Sequence, residues 1–158
     1  MNDAHSRVAE EAILESAMLE ATTVQVQPGL WIGGASAPIP DEVSIVVTLE
    51  QTTTPVTRAG MTEVREPFPD SRWQPIDGAR VAAAIRAARP APEAGVLIRC
   101  RHGLNRSALI AALVLVVRGW TPDEAVDVVR RARPGALSNP YFADLVRSWP
   151  EDPMRGCR

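Results

Sequence analysis

The spacing of apolar residues changes several times along the chain. Residues 7–20 (RVAEEAILESAMLE) set Val8, Ile13, Met18 and Leu19 toward one side, with Glu10, Glu11, Glu15 and Glu20 left for solvent. That pattern predicts a helix packed on the domain as an N-terminal extension. From Val24 the period shortens: VQVQPGLWIGG alternates around Pro28-Gly29 and predicts two short strands. SIVVTLE, 44–50, is a β-branched run and predicts a buried strand, followed by a polar loop at Gln51–Pro55. TEVREPF, 62–68, predicts another strand, stopped by Pro69. Residues 75–89 read as a helix with Val81, Ile85 and several alanines inward, and RPAPEAG cannot continue it. Val96–Arg99 is the next strand. Asn105–Arg118 is apolar nearly all round and predicts a buried helix. Thr121-Pro122-Asp123-Glu124 is a capping-box start, and Ser138-Asn139-Pro140 marks the last helix.

Strands alternating with helices predict an α/β fold: a three-layer domain with a central, largely parallel sheet of 4–5 strands flanked by helices. The expected organisation is a helical extension at 1–23, one catalytic domain at 24–150 and a polar tail at 151–158. The chain has 158 residues, 46% of them hydrophobic, which suffices for one sizeable core.

Charge narrows the partners. The formal net charge is −2, so no global field favours nucleic acid or an anionic membrane. All 17 basic residues are arginine, the side chain best shaped to hold an oxyanion by a planar fork. Two cysteines, Cys100 and Cys157, make no disulfide framework, so a reducing cytoplasm is expected. The N-terminus lacks the basic start and apolar stretch of a signal peptide, and the longest apolar run, Ala108–Val117, is too short to span a bilayer. Oligomeric state is left open.

The chemistry concentrates in VLIRCRHGLNRS, 96–107. A strand runs into Cys100, and a buried helix begins near Asn105 or Arg106. The loop between them lies at the carboxyl edge of a parallel sheet and at the positive end of a helix, where ligands of such sheets sit. The backbone N–H groups of Arg101, His102, Gly103, Leu104, Asn105 and Arg106 have neither strand nor helix partners and can converge on an anion. Gly103 permits the turn. A thiol at Cys100 lies at the base of this cup, and such surroundings lower cysteine pKa values to roughly 3.5–7.5. Arg106 can take two phosphate oxygens as a fork. Ser107 can hydrogen-bond the sulfur and help it leave.

At these residues the chain resembles the cysteine-dependent protein tyrosine and dual-specificity phosphatases, whose motif is Cys, five residues, Arg, then Ser or Thr. Cys100, Gly103, Arg106 and Ser107 match it, and GLWIGGASAP (29–38) and WTPDEAVDVVRRARPGALSNPYFADLV (120–146) resemble the family's early strand-and-turn and its C-terminal helix pair. The likeness runs over roughly 24–149. Arg99 departs from it, since the family usually has His before the cysteine. The resemblance implies a phosphocysteine intermediate formed without metal or cofactor, and a general acid on a loop at the same sheet edge. Asp70, just past the strand TEVREPF, has a placement similar to the family's acid loop. Asp77 competes but falls early in a predicted helix, and Asp41 precedes its strand.

The reading is a phosphatase that hydrolyses phosphotyrosine, and by extension phosphoserine or phosphothreonine, on a phosphorylated protein. A polynucleotide 5′-phosphatase or triphosphatase stands second, because His102-Gly103-Leu104-Asn105-Arg106 resembles the loop of RNA 5′-triphosphatases; the slightly acidic chain disfavours nucleic acid. A phosphoinositide phosphatase is third, through Arg101 and His102. A non-catalytic phosphate-binding module is the non-enzyme alternative. His102 is either a solvated loop residue or a phosphate contact. Asn139 is either a helix cap or a brace for the loop. Trp73 stands near Asp70 as an acid-loop anchor or pocket wall. Cys157 is read as idle or, less simply, as a resolving thiol.

Overall fold

A computed structural model describes residues 3–149. The elements run α1 (Asp3–Glu20), β1 (Thr23–Gln27), β2 (Leu30–Gly33), β3 (Val43–Thr48), β4 (Thr62–Arg65), α2 (Gly78–Ala88), β5 (Gly95–Arg99), α3 (Arg106–Val117), α4 (Pro122–Ala132) and α5 (Pro140–Ser148). The five strands lie in the order β1-β2-β5-β3-β4. β1 and β2 form an antiparallel hairpin, and β2, β5, β3 and β4 are parallel neighbours. The fold is therefore α/β with a mixed, mainly parallel sheet.

This order puts β5 at the centre, with its residues buried throughout. Alternation along it divides the interior in two. Val96, Ile98 and Cys100 join the main core with residues of α2, α3, α4 and α5. Leu97 faces the other way, with Val43 and Val46, under Trp31, Ile39, Val56 and Met61. α3 packs against the sheet and against α2, α4 and α5. That placement explains a helix buried from Ser107 to Val116 with almost no polar face. α4 starts with the full capping box on Thr121 and Glu124, and α5 is capped by Asn139, whose Oδ1 accepts from Tyr141 N at 3.1 Å.

Two expectations change. β4 ends at Arg65, three residues short of Phe68. Pro67 has no N–H for the ladder, so the chain leaves the sheet there. Because β4 is parallel to β3, Asp70 still falls beyond its carboxyl end. The second change concerns α1, which forms but packs only at its last turn. Val8, Ile13 and Met18 are 66%, 68% and 71% exposed, and contact falls to the half-buried Ser16, Leu19 and Glu20. Ala, Glu, Leu and Met favour the helix without a packed face.

Truncation separates these two helices. Leu113→Ala in α3 should cost about 2–5 kcal/mol in denaturant unfolding, as for any fully buried leucine. Ile13→Ala in α1 should stay within about 0.5 kcal/mol of the parent. A large loss at Ile13 would mean that α1 is packed.

Candidate active site

Three parallel strands deliver loops to one sheet edge: Leu49–Pro55 after β3, Glu66–Asp77 after β4 and Cys100–Asn105 after β5. The last is turned so that its carbonyls face outward. Ala35 N donates to Arg101 O at 2.9 Å, Leu137 N to Leu104 O at 2.8 Å and Leu109 N to Asn105 O at 2.8 Å. Arg133 Nη2 donates to His102 O at 3.1 Å. With the carbonyls so occupied, the N–H groups of residues 101–106 donate to no acceptor among the described residues. Six consecutive N–H groups are thus left available to an anion beside Cys100. Gly103 makes this turn at φ +68°, and a Cβ there would lie 2.7 Å from the carbonyl carbon of Gly33. Leu137 adopts φ +56° to bring its N–H to Leu104 O. A left-handed conformation at a non-glycine residue costs of order 1–3 kcal/mol, offset here by the buried side chain and that hydrogen bond.

Cys100 is buried, and its Sγ lies 3.4 Å from Ser107 Oγ, itself fully buried at the start of α3. Arg106 is less free than the sequence reading expected. Its Nη2 donates to Glu50 Oε2 at 2.8 Å, and its Nη1 to Leu49 O at 3.2 Å and Phe68 O at 3.1 Å. Its Nε is buried without a partner among the described residues. An orphaned donor of a buried guanidinium is costly unless something accepts from it, and an oxyanion in the nest is a suitable acceptor. Burial works against the charge of Glu50. The Arg106 hydrogen bond and charge, with help from Thr52, outweigh it and hold this carboxyl below its ordinary value.

Asp70 is exposed on its loop and gripped at both oxygens. Asn105 Nδ2 donates to Oδ2 at 2.9 Å, and Asn139 Nδ2 to Oδ1 at 2.9 Å. Asn105 Oδ1 accepts in turn from Asn139 N at 2.9 Å and Ser138 Oγ at 3.2 Å. The side chain of Asn105 thus ties the acid loop to α5 instead of facing the cup, and Asn139 both caps α5 and braces Asp70. Asp77 caps α2, accepting from Arg80 N at 3.2 Å, and does not join the cluster. Ser71 Oγ accepts from Trp73 N and Gln74 N, which makes a tight turn. Trp73 is 85% exposed on the rim of a depression of about 330 Å³ that it shares with Asp70, Asn105 and Asn139. It lines that open depression as a wall and, so exposed, does not anchor the loop.

His102 does not turn freely in solvent. Its Nε2 is 3.0 Å from Ser16 Oγ of α1 and 3.8 Å from Glu20. Arg101 Nε also faces Glu20 at 3.8 Å. Arg99 is buried, with Nη2 2.8 Å from Glu63 Oε2, and therefore does not replace the usual His as a free charge. Burial again opposes the Glu63 charge. Hydrogen bonds from Thr48, Arg99, Arg65 and Val56 N overcome it and lower this carboxyl below its ordinary value.

Sequence reasoning passed over Glu50, Arg133, Ser16 and Glu20. Arg133 is 7% exposed and makes no ion pair among the described residues. Burial pushes its guanidinium down from the usual range, and the nearby Cys100 pushes it back up. Through its hydrogen bond to His102 O it sets a positive charge against the loop. The only local signal for it was an arginine followed directly by proline, at a helix end. Cys157 lies outside the described residues.

No family model matches the chain. It is 28% identical over 141 residues to human dual specificity phosphatase 28, covering 81% of this chain and 77% of that one. It is 28% identical over 104 residues to human protein tyrosine phosphatase type IVA 3, covering 65% of this chain. The chain spans about 60% of the length of that relative. The crystal structure of human DUSP28 superposes with a TM-score of 0.71 at 25% identity, covering 84% of this chain and 95% of that one. The chain thus has the fold of the cysteine-dependent dual-specificity and tyrosine phosphatases and resembles them in sequence, as expected from the loop motif.

The two lowered carboxyls fix a pH dependence. Each favours the folded state above the ordinary glutamate value of 4.5, and that contribution is lost as pH falls through the lower folded value. The thermal midpoint should drop on acidification below 4.5. Glu63→Gln, less stable at neutral pH, should lose less over the same interval. Equal acid losses in parent and variant, measured by calorimetry, would contradict this role.

Proposed function

We propose that the protein is a cysteine-dependent phosphatase that hydrolyses phosphate monoesters, phosphotyrosine foremost, on phosphorylated proteins. The observation that carries the reading is the loop itself: unpartnered amides of residues 101–106 ring the buried sulfur of Cys100, while the orphaned Nε of Arg106 waits for an acceptor. This arrangement fits three equatorial phosphoryl oxygens above a nucleophile.

The chemistry follows in two displacements. The Cys100 thiolate attacks phosphorus, and the bond to the ester oxygen breaks. Asp70, protonated, gives its proton to that oxygen as the alcohol or phenol leaves. A phosphocysteine remains. Asp70, now a carboxylate, takes a proton from water as the water oxygen attacks phosphorus. Inorganic phosphate leaves, and the electrons of the S–P bond return to sulfur. Ser107, 3.4 Å from Sγ, stabilises the departing thiolate. Asn105 and Asn139 hold Asp70 at the rim, so the acid is aimed without being buried. The amides and Arg106 bear on the phosphoryl group in both steps.

Charge pairing around the cup favours a single phosphate over a polyanion. Arg101 faces Glu20 and Arg106 faces Glu50. An RNA 5′-triphosphate or a polyphosphorylated inositol needs cations free for its outer phosphates. Here those places carry compensating carboxylates. The relatives' names, dual specificity phosphatase and protein tyrosine phosphatase, point to protein substrates as well. No helix among the described residues is long and apolar enough to cross a membrane, so a substrate reached from the aqueous phase fits the chain.

Three experiments bear on this directly. Cys100→Ser should lose turnover yet keep tungstate binding, measured as protection against heating; persistent turnover would remove the covalent mechanism. Asp70→Asn should lower the rate on phosphotyrosine peptides by roughly 10²–10⁴-fold and act far more weakly on aryl phosphates with good leaving groups. In a side-by-side assay phosphotyrosine peptides should outpace 5′-triphosphate RNA. A faster RNA reaction, with Asp70→Asn silent on peptides, reverses the substrate ranking.

A further inference from the structure

Arg99 stands immediately before Cys100, but their side chains leave the strand on opposite faces of the sheet. Cys100 joins the helix-covered core, and Arg99 turns to the face of Leu97. There it is 5% exposed and engaged in three directions. Nε donates to Thr48 Oγ1 at 3.0 Å, and Nη2 to Thr54 O and Glu63 Oε2, both at 2.8 Å. Glu63 also accepts from Thr48 Oγ1 at 2.7 Å, Val56 N at 3.3 Å and Arg65 Nη1 at 3.1 Å. Arg65 Nη2 then reaches the carbonyls of Glu50 at 3.2 Å, Gln51 at 3.4 Å and Thr53 at 2.7 Å.

Beyond the strands, these contacts all fall on residues 50–56, the segment that carries Glu50, the carboxylate on Arg106. Apart from Val56, which packs against Val43, Val46 and Leu97, that segment has no apolar anchor. Gln51, Thr52, Thr54 and Pro55 are exposed, and none of them reaches the core. We infer that Arg99 is a positioning residue for the oxyanion-binding arginine: with Glu63 and Arg65 it pins residues 50–56 and so sets where Glu50 holds Arg106. The inference rests on the phosphatase reading of the loop. It gives the departure from His a purpose on the other face of the sheet. An imidazole offers at most two N–H groups and cannot serve Thr48, Thr54 and Glu63 together. Burying two guanidiniums about one carboxylate is a poor way to gain stability, since desolvation offsets the attraction. It is an effective way to hold a polar segment at several carbonyls.

The test compares tungstate affinity, turnover of a phosphotyrosine peptide and alkylation of Cys100 by neutral iodoacetamide across pH. Arg99→Met and Arg65→Met should each lower tungstate affinity and kcat/KM about tenfold, and each should be non-additive with Glu50→Gln. The alkylation profile should match the parent, because Arg99 does not face the sulfur. Arg58→Met is the control. Arg58 also spans three carbonyls, those of Ile39, Pro40 and Val43, but away from segment 50–56, and should leave tungstate affinity unchanged. Parent-like tungstate affinity in folded Arg99→Met overturns the inference, as does a displaced alkylation profile with affinity intact. If Arg99→Met does not fold, Arg65→Met decides by the same measure. A parent that neither binds tungstate nor turns over peptide overturns the phosphatase reading itself. A parent active in both beside indifferent variants overturns the positioning role alone.

Discussion

Six consecutive peptide N–H groups, from Arg101 to Arg106, stand without protein acceptors beside Cys100, while carbonyls of the same loop find donors elsewhere. Buried carbonyls left without donors would cost about as much as the nest could gain. Much of the surrounding structure is arranged to receive them. Ala35 after β2, Leu137 before α5, Leu109 in α3 and the Arg133 guanidinium each take one. These groups come from widely separated parts of the chain, so the nest exists only when the sheet, α3 and the segment before α5 are assembled. The left-handed Leu137 and the glycine at 103 are local consequences of the same demand.

A second consequence is electrostatic. Donors, a helix N-terminus and the guanidiniums of Arg101 and Arg106 gather positive charge at one edge. The fold moderates it with Glu20 and Glu50. What remains fits the single-phosphate substrate proposed above. The same carboxylates do positional work: Glu50 orients Arg106, and Glu20, with Ser16, brings the last turn of α1 against His102 and Arg101. An otherwise exposed helix therefore touches the cup at one end only.

Much of this was legible from local patterns. The all-round apolar run at 107–116 could only be a buried helix, and the Thr121 capping box and the Cys100-to-Arg106 spacing needed no tertiary context. The position of Asp70 at the same sheet edge was legible because a parallel strand must deliver its next loop there. The misses share one physical cause. Glu50 closes a strand pattern and reads as an ordinary polar end; only its approach to Arg106, 56 residues on, gives it meaning. Arg133 reads as the solvent side of a helix end, and Asn105 as a loop amide. α1 has apolar residues but no packed stripe, so composition suggested burial that the fold does not provide. Long-range hydrogen bonds leave little trace in hydrophobic periodicity.

The central claim is that one atom, Cys100 Sγ, sits where a phosphoryl group must arrive, in a ring of amides that will hold it there. Rapid acid quench during turnover of a phosphotyrosine peptide, followed by peptide mass spectrometry, tests this most directly. The account predicts a single phosphoryl adduct on the peptide containing Cys100, absent from Cys100→Ser and more abundant in a variant whose water-activating base is impaired. Turnover with no adduct on Cys100 at any quench time, or an adduct on another residue, would contradict it.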